Sequence, residues 1–335
     1  MNVLVVGGTG LLGQHCAVEL LAGGHSVTLV GRRPAPELLP ALNDPRRRSV
    51  ALDVWAASDD ELGVLCAGHD ACVYALGPDD RGAHPAPAAR HLQALLVDQT
   101  ERFVRAARAV GVQRAVVLGS YFAAWHRMRP ELRLAETHPY VQARLDQATR
   151  AVAAGGGASG ASGMDVCVLE IPYVFGTVPG QAPLWKALID RLRTVPIALY
   201  PVGGTSVVTA SQVGQAAAAA CAVGEHGARY ALSDEQLTWT VLLGLMLQAL
   251  GRRPIVVGIP RLLLEPGLKL VEWHLARSGR ESGLRPAQVL SHIMYQHLYV
   301  DPTHSLRALG YRRGGVREAI VETVAASSDA AGATR

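Results

Sequence analysis

Residues 3 to 13 read Val3-Leu4-Val5-Val6-Gly7-Gly8-Thr9-Gly10-Leu11-Leu12-Gly13. A bare apolar strand pattern runs straight into glycines spaced G-x-x-G-x-x-G, and an amphipathic helical stretch, Leu11 to Leu21, follows. The spacing answers three physical demands. A tight turn must leave the strand, backbone must come close to a pyrophosphate, and the helix must pack hard on its strand. Glycine meets all three because it lacks a Cβ and tolerates unusual backbone angles. The first helical N–H groups then point at the phosphates. Followed by a second strand pattern at Ser26–Val30, this arrangement opens a dinucleotide-binding βαβ unit.

Strand and helix patterns go on alternating. Strands are expected at Asn2–Val6, Ser26–Val30, Ser49–Leu52, Ala71–Leu76, Arg114–Leu118 and Asp165–Ile171. Helices are expected at Leu11–Leu21, Asp59–Cys66, Pro87–Val110 and Tyr140–Ala153. This order predicts an α/β fold, a Rossmann-type doubly wound parallel sheet, with ligands collecting outside the carboxyl ends of the strands. After Pro172 the alternation loosens. A helix at Leu184–Leu192, strands at Ile197–Tyr200 and Ser206–Val208, and helices at Ser211–Val223 and Thr238–Leu250 suggest a smaller C-terminal substrate-binding lobe. The expected division is 1–172 for the dinucleotide-binding domain, an interleaved lobe over 173–325, and a flexible tail over 326–335. The glycine- and serine-rich run Gly155 to Gly163 reads as a flexible surface connection.

Composition narrows the function classes. Only 18% of the residues are charged and 49% are hydrophobic, so the chain is globular. No run of about 18 to 20 apolar residues could span a bilayer. The longest candidate, Ile259 to Leu275, is interrupted by Arg261, Glu265, Pro266, Lys269 and Glu272. The first strand leaves no room for a secretory leader, which points to a cytoplasmic protein without a membrane partner. Five scattered cysteines lie in apolar segments and read as core residues in a reducing compartment. Twelve histidines form no tight ligand cluster, so no metal is expected. A net charge of +4 is too small for a nucleic-acid partner, and Arg46-Arg47-Arg48 reads as a solvated loop before a strand.

Cofactor determinants follow the strands in order. Gly31-Arg32-Arg33 closes the second strand with no carboxylate, where an acidic group would suit the ribose of NAD and arginine suits the 2′-phosphate of NADP. NADP(H) is favoured and NAD is the alternative; in the bland reading one or both arginines face solvent. Asp53 and Val54 can meet the adenine, although Asp53 alone could be a turn residue. Ala75, Leu76 and Gly77 let the dinucleotide backbone lie close.

The chain resembles the short-chain dehydrogenase/reductase superfamily, in its extended, epimerase/dehydratase-like branch. The resemblance is carried by Gly7 to Gly13, Leu52-Asp53-Val54, His69 to Gly77, Ala115-Val116-Val117-Leu118-Gly119-Ser120 and Pro139-Tyr140-x-x-x-Arg144. It continues through Ile171-Pro172-Tyr173-Val174-Phe175-Gly176 to Leu309-Gly310-Tyr311. It implies that Ser120 holds the substrate oxygen and that Tyr140 exchanges a proton with it. The family's lysine, which supports that tyrosine and holds the nicotinamide ribose, is here Arg144. Pro172, Tyr173 and Val174 would flank the nicotinamide.

Two further departures are Leu96, where many relatives carry asparagine, and Glu170, where they often carry arginine. The second makes a nucleotide-sugar substrate less expected. Tyr121, Phe122 and Trp125 could line an apolar substrate pocket or pack as an ordinary loop cluster. Ser120 could simply end a strand, Tyr140 could be a core aromatic, and Arg144 could pair with Asp146 on the helix surface. The leading expectation is an NADP(H)-dependent oxidoreductase acting on the carbonyl or alcohol of an apolar small molecule. The alternatives are a cofactor-binding protein with little turnover and a redox-neutral epimerase or dehydratase. Relatives often form a homodimer through the helices matched by Pro87–Val110 and Tyr140–Ala153.

Overall fold

A computed structural model of the chain describes residues 1–33, 37–78, 82–157 and 163–332. Seven parallel strands form the central sheet. Their spatial order is Arg229–Ala231, Asp165–Ile171, Arg114–Ser120, Ala71–Tyr74, Asn2–Val6, Ser26–Gly31 and Arg47–Ala51. Continuous Val and Leu runs suit strands buried on both faces, and all seven residues of Asp165–Ile171 are buried. The helices Leu11–Ala22 and Ala210–Val223 pack together on one face. Asp59–Cys66, Gln99–Ala109 and Pro139–Gly155 cover the other. Gly214 permits the first pairing, because a Cβ there would lie 2.5 Å from the His15 carbonyl oxygen.

The chain lays down two strands, Ser26–Gly31 and Arg47–Ala51, to one side of Asn2–Val6, then returns to build on the other side from Ala71–Tyr74. The carboxyl ends of these two neighbours form the topological switch point, where a crevice opens. Above it sits a separate apolar core that includes Phe175, Leu237, Trp239, Met246 and Ile320. A small sheet, Glu235–Thr238, Gly204–Thr209 and His297–Leu298 with Tyr173–Phe175, frames that lobe.

Four expectations are corrected. The third strand is Arg47–Ala51, not Ser49–Leu52, so Arg47 and Arg48 sit on the sheet edge and only Arg46 precedes it, paired with Asp44 at 2.7 Å. The single helix Pro87–Val110 becomes Ala88–Leu92, a π-helical stretch Gln93–Asp98, and Gln99–Ala109. The three-residue edge strand Arg229–Ala231 was too short for its pattern to register. Of the expected flexible tail over 326–335, residues 326–332 continue the helix Val316–Gly332, with Ser327 fully buried, and residues 333–335 lie outside the described residues. Within Gly155 to Gly163, the helix ends at Gly155 and is capped by Gly156 in the left-handed region; residues 158–162 lie outside the described residues.

Candidate active site

The glycine turn fits a dinucleotide on geometric grounds. Gly7 has φ +79°, and a Cβ on it would meet the Ala75 carbonyl oxygen at 2.8 Å. A Cβ on Gly13 would stand 2.2 Å from the Gly7 carbonyl oxygen, so the helix presses directly on the turn. Gly10 is the N-cap of Leu11–Ala22, with no side chain capping the helix and no acidic residue in its first turn. That leaves a helix N-terminus with open donors facing the crevice, the arrangement an anion requires. Thr9 is held from two sides, its carbonyl accepting from Gln14 Nε2 at 3.1 Å and from Gln181 Nε2 of the second lobe at 2.6 Å.

From this turn the crevice runs in two connected parts that share Ala75, Leu76 and Gly77 as floor. The outer part, about 220 Å³, is lined by Gly7, Thr9, Gly10, Arg32, Asp53 and Val54. Trp55 also lines it, donating its indole N–H to Tyr74 Oη at 3.2 Å. Asp53 is a turn residue as well, since its Oδ1 accepts the Trp55 N–H at 3.1 Å. The turn reading of Asp53 holds, and the residue also lines the outer part. Arg32 is exposed at the rim. Arg33 is exposed beside it and lines an adjacent depression with Arg47 and Ser49. Leu11 and Gly13 line neither part; Leu11 packs on the core and Gly13 sets the helix height.

The inner part, about 270 Å³, brings together Leu12, Ser120, Tyr121, Phe122, Tyr140, Arg144, Pro172, Tyr173 and Val174. Ser120 ends its strand and its Oγ accepts the Phe122 N–H at 3.4 Å, capping the short helix Tyr121–Met128. Tyr121 Oη bonds Thr205 Oγ1 at 2.9 Å, and its ring lies 5.9 Å from that of Tyr173. Trp125 is not in the wall. It is buried in the lobe core with Arg129 stacked 5.4 Å over its ring, because one helical turn carries it past the crevice.

Tyr140 stands at the start of Pro139–Gly155, a helix whose proline at its first position needs no N–H partner. Its N–H donates to the Gly283 carbonyl at 3.0 Å. The preceding His138 is fully buried and its Nδ1 accepts the Arg285 N–H at 3.0 Å. Burial, then the nearby charges of His292 and Arg285, pushes the His138 imidazole down to about 3.

One turn along, Arg144 donates Nε–H to Tyr140 Oη at 2.9 Å and sits 5.0 Å over its ring. Its Nη1 donates to Gln147 Oε1 at 2.8 Å and to the Leu118 carbonyl at 3.3 Å. Gln147 in turn donates to Thr100 Oγ1 at 2.9 Å, and Thr100 donates to the Leu96 carbonyl at 2.6 Å. The guanidinium is buried, and among the described residues no carboxylate pairs with it. Asp146, the partner of the bland reading, accepts from Gln142 instead. Gly77 makes room for this group, because a Cβ there would lie 3.2 Å from Arg144 Nη2.

Glu170 lies behind the crevice, not in it. Its carboxylate is buried in a two-pronged pair with Arg127 at 2.7 and 2.6 Å. The expectation built on Glu170 against a nucleotide sugar therefore loses its basis. Sequence reasoning also missed Leu184 and Trp185, which close the inner part from the second lobe. Trp185 was detectable only as an isolated aromatic, yet its ring stacks on Phe175 at 5.2 Å and its indole N–H donates to the Val174 carbonyl at 2.8 Å.

Residues 7–171 match the NAD(P)H-binding protein family. No curated protein matches the chain. Among solved structures, the protein gox2253 superposes with a TM-score of 0.75 at 16% identity, over 98% of each chain. A dTDP-glucose 4,6-dehydratase from Streptomyces venezuelae, solved with NAD and TYD, gives 0.68 at 20% identity over 99% of this chain and 98% of that one. A nucleoside-diphosphate-sugar epimerase from Pseudomonas aeruginosa gives 0.68 at 17% identity over 98% of each.

Proposed function

Because residues 7–171 form a domain of the NAD(P)H-binding family and the chain has the extended short-chain dehydrogenase/reductase fold, we propose that it is an NADP(H)-dependent oxidoreductase. It interconverts a carbonyl and an alcohol on an apolar small molecule. The observation that carries this reading is the buried Arg144 guanidinium, aimed at Tyr140 Oη with no carboxylate to neutralise it among the described residues. A buried cation is costly unless something negative visits it. Charge developing on the tyrosine oxygen is such a visitor.

The nicotinamide, when bound, supplies or accepts the hydride. The chain's own residues do the rest. Ser120 Oγ orients the substrate oxygen. Tyr140 gives that oxygen a proton when a carbonyl is reduced, and takes one when an alcohol is oxidised. Arg144 has donors only, so it holds charge on the tyrosine oxygen without accepting a proton. The polar chain behind it runs through Gln147 to Thr100, which meets both the Leu96 carbonyl and the Tyr74 hydroxyl. Because Arg144 accepts no proton, that chain does not reprotonate Tyr140 through it.

The walls support an apolar substrate. Leu12, Leu118, Phe122, Ile171, Leu184 and Trp185 line them, and among the described residues Arg144 is the only charged one lining the inner part. With about 270 Å³ to share with a nicotinamide, the inner part suits a compact substrate. Arg32 at the rim, with Arg33 beside it, supports NADP(H) over NAD.

A second reading, redox-neutral epimerisation or dehydration with retained cofactor, is favoured by the solved relatives, named as an epimerase and a dehydratase. One experiment separates the two. The protein is incubated with NADPH and a panel of apolar aldehydes and ketones while reduced-nicotinamide absorbance is followed. Net loss of absorbance that falls about a thousandfold in Tyr140→Phe, with NADPH affinity unchanged, is the expected result. Conversion without net loss establishes the second reading, and an undiminished rate in Tyr140→Phe refutes the proposed acid/base.

A further inference from the structure

The helix Arg261–Arg277 carries an apolar face that the fold leaves uncovered. None of its 17 residues is buried. Its half-buried edge holds Leu264, Leu268 and Leu275 together with both of its carboxylates, Glu265 and Glu272. The opposite side exposes Leu262 (77%), Leu263 (69%), Leu270 (63%) and Trp273 (55%). At 100° per residue, Leu262, Pro266, Leu270, Trp273 and Arg277 fall on one stripe, with Leu263 beside it. The two-stranded sheet that leads into this helix, Ala198–Tyr200 with Val256–Gly258, adds exposed Leu199 and Val257.

Charge is sorted along the same segment. The exposed ionisable residues of the helix are Arg261, Lys269, His274 and Arg277, with no carboxylate among them. From Arg252 to Arg280 there are six basic residues against two acidic ones, a net +4 that equals the formal charge of the whole chain. Arg277 stacks 5.0 Å over the Trp273 ring, placing a cation at the apolar edge. Leucines and a tryptophan bordered by arginine and lysine are what an anionic lipid surface recognises. A second copy of the chain docked on the same stripe would set these cations against themselves, since both carboxylates turn inward.

We propose that this face is a docking site for an anionic phospholipid bilayer, with the helix lying in the interface plane. The sequence expectation of no membrane partner rested on the lack of a spanning run, and interfacial binding needs none. No helix among the described residues is long and apolar enough to cross a membrane. The proposal stands independently of the chemistry assigned to the crevice.

The test is co-sedimentation with vesicles of equal parts phosphatidylcholine and phosphatidylglycerol, against phosphatidylcholine alone. At least tenfold stronger partitioning to the anionic vesicles is expected, weakened by added salt. The double variant Leu262→Ser/Leu270→Ser should partition at least tenfold less, while its urea midpoint, unchanged because both side chains are exposed, shows that it is folded. Tryptophan emission should shift to the blue on vesicle binding in the native chain and much less in Trp273→Phe. Absence of vesicle binding, or equal binding by the double variant, overturns the proposal. So does a dimer in sedimentation velocity that the double variant converts to monomer, which would give the face to a second copy.

Discussion

Two glycines three residues apart in the turn should respond to the same substitution by very different amounts. In Gly13→Ala the new Cβ would lie 2.2 Å from Gly7 O, 2.7 Å from Gly8 Cα and 2.8 Å from Gly7 C, all backbone atoms. The first contact is 1.2 Å short of the 3.4 Å at which ordinary packing begins. No side chain can rotate away, so helix and turn must separate. Overpacking of this kind costs about 3 kcal/mol at the upper end of its range. Helix propensity opposes it, because alanine in a helix is favoured over glycine by about 1 kcal/mol. The expected net is a loss of about 2 kcal/mol in urea unfolding. The first-turn N–H groups move with the helix, and weakening one or two charge-assisted bonds lowers NADPH affinity about a hundredfold.

In Gly10→Ala the Cβ meets only Gly7 O, at an ordinary 3.4 Å, and the residue already has φ −84° and ψ 173°. Its stability should fall by less than about 1 kcal/mol, the small handicap of alanine as an N-cap. Denaturant titration of both variants, with NADPH titration of Gly13→Ala, checks the argument. A Gly13→Ala protein as stable as the native chain would show that propensity, not contact, governs the turn, and would refute it.

Replacing Arg32 and Arg33 together with alanine should weaken NADPH far more than NADH in parallel titrations, and equal losses would remove the 2′-phosphate assignment. Arg127→Met should destabilise the chain by about 3 kcal/mol, since it strands the Glu170 carboxylate, whose side chain is only 1% exposed. Removing the acid as well, in Arg127→Met/Glu170→Gln, should recover much of that loss in urea unfolding. For His138, the folded imidazole titrates near 3, below its ordinary 6.5, so between these values the unfolded chain binds the extra proton. Its contribution is fully present above pH 6.5 and is lost as pH falls toward 3, with a slope of up to about 1.4 kcal/mol per pH unit. His138→Asn should flatten unfolding free energy against pH over that window, and an unchanged slope would contradict the buried neutral imidazole.

The sequence by itself determined what depends on near neighbours in the chain. The glycine spacing, the apolar strand before it and the proline that starts the Tyr140 helix act over a few residues, through backbone angles and side-chain period. From them the parallel sheet, its first six strands as they follow along the chain and the cofactor-binding end were legible. Tyr140 and Arg144 could be placed on one helical face because four residues make about one turn.

Tertiary structure decided the partners. Whether Trp125 faced the crevice or the core, and whether Glu170 met Arg127, depended on segments far apart in sequence. The same holds for Leu184 and Trp185, which reach the crevice only because the second lobe folds back over it. A pattern read along one segment specifies which side of that segment is apolar. It does not specify which other segment arrives there, because that is set by packing the whole chain around its cores. The outward stripe on Arg261–Arg277 makes the same point from the other side: the sequence shows an interrupted apolar run there, and only the folded chain shows that nothing among the described residues buries it.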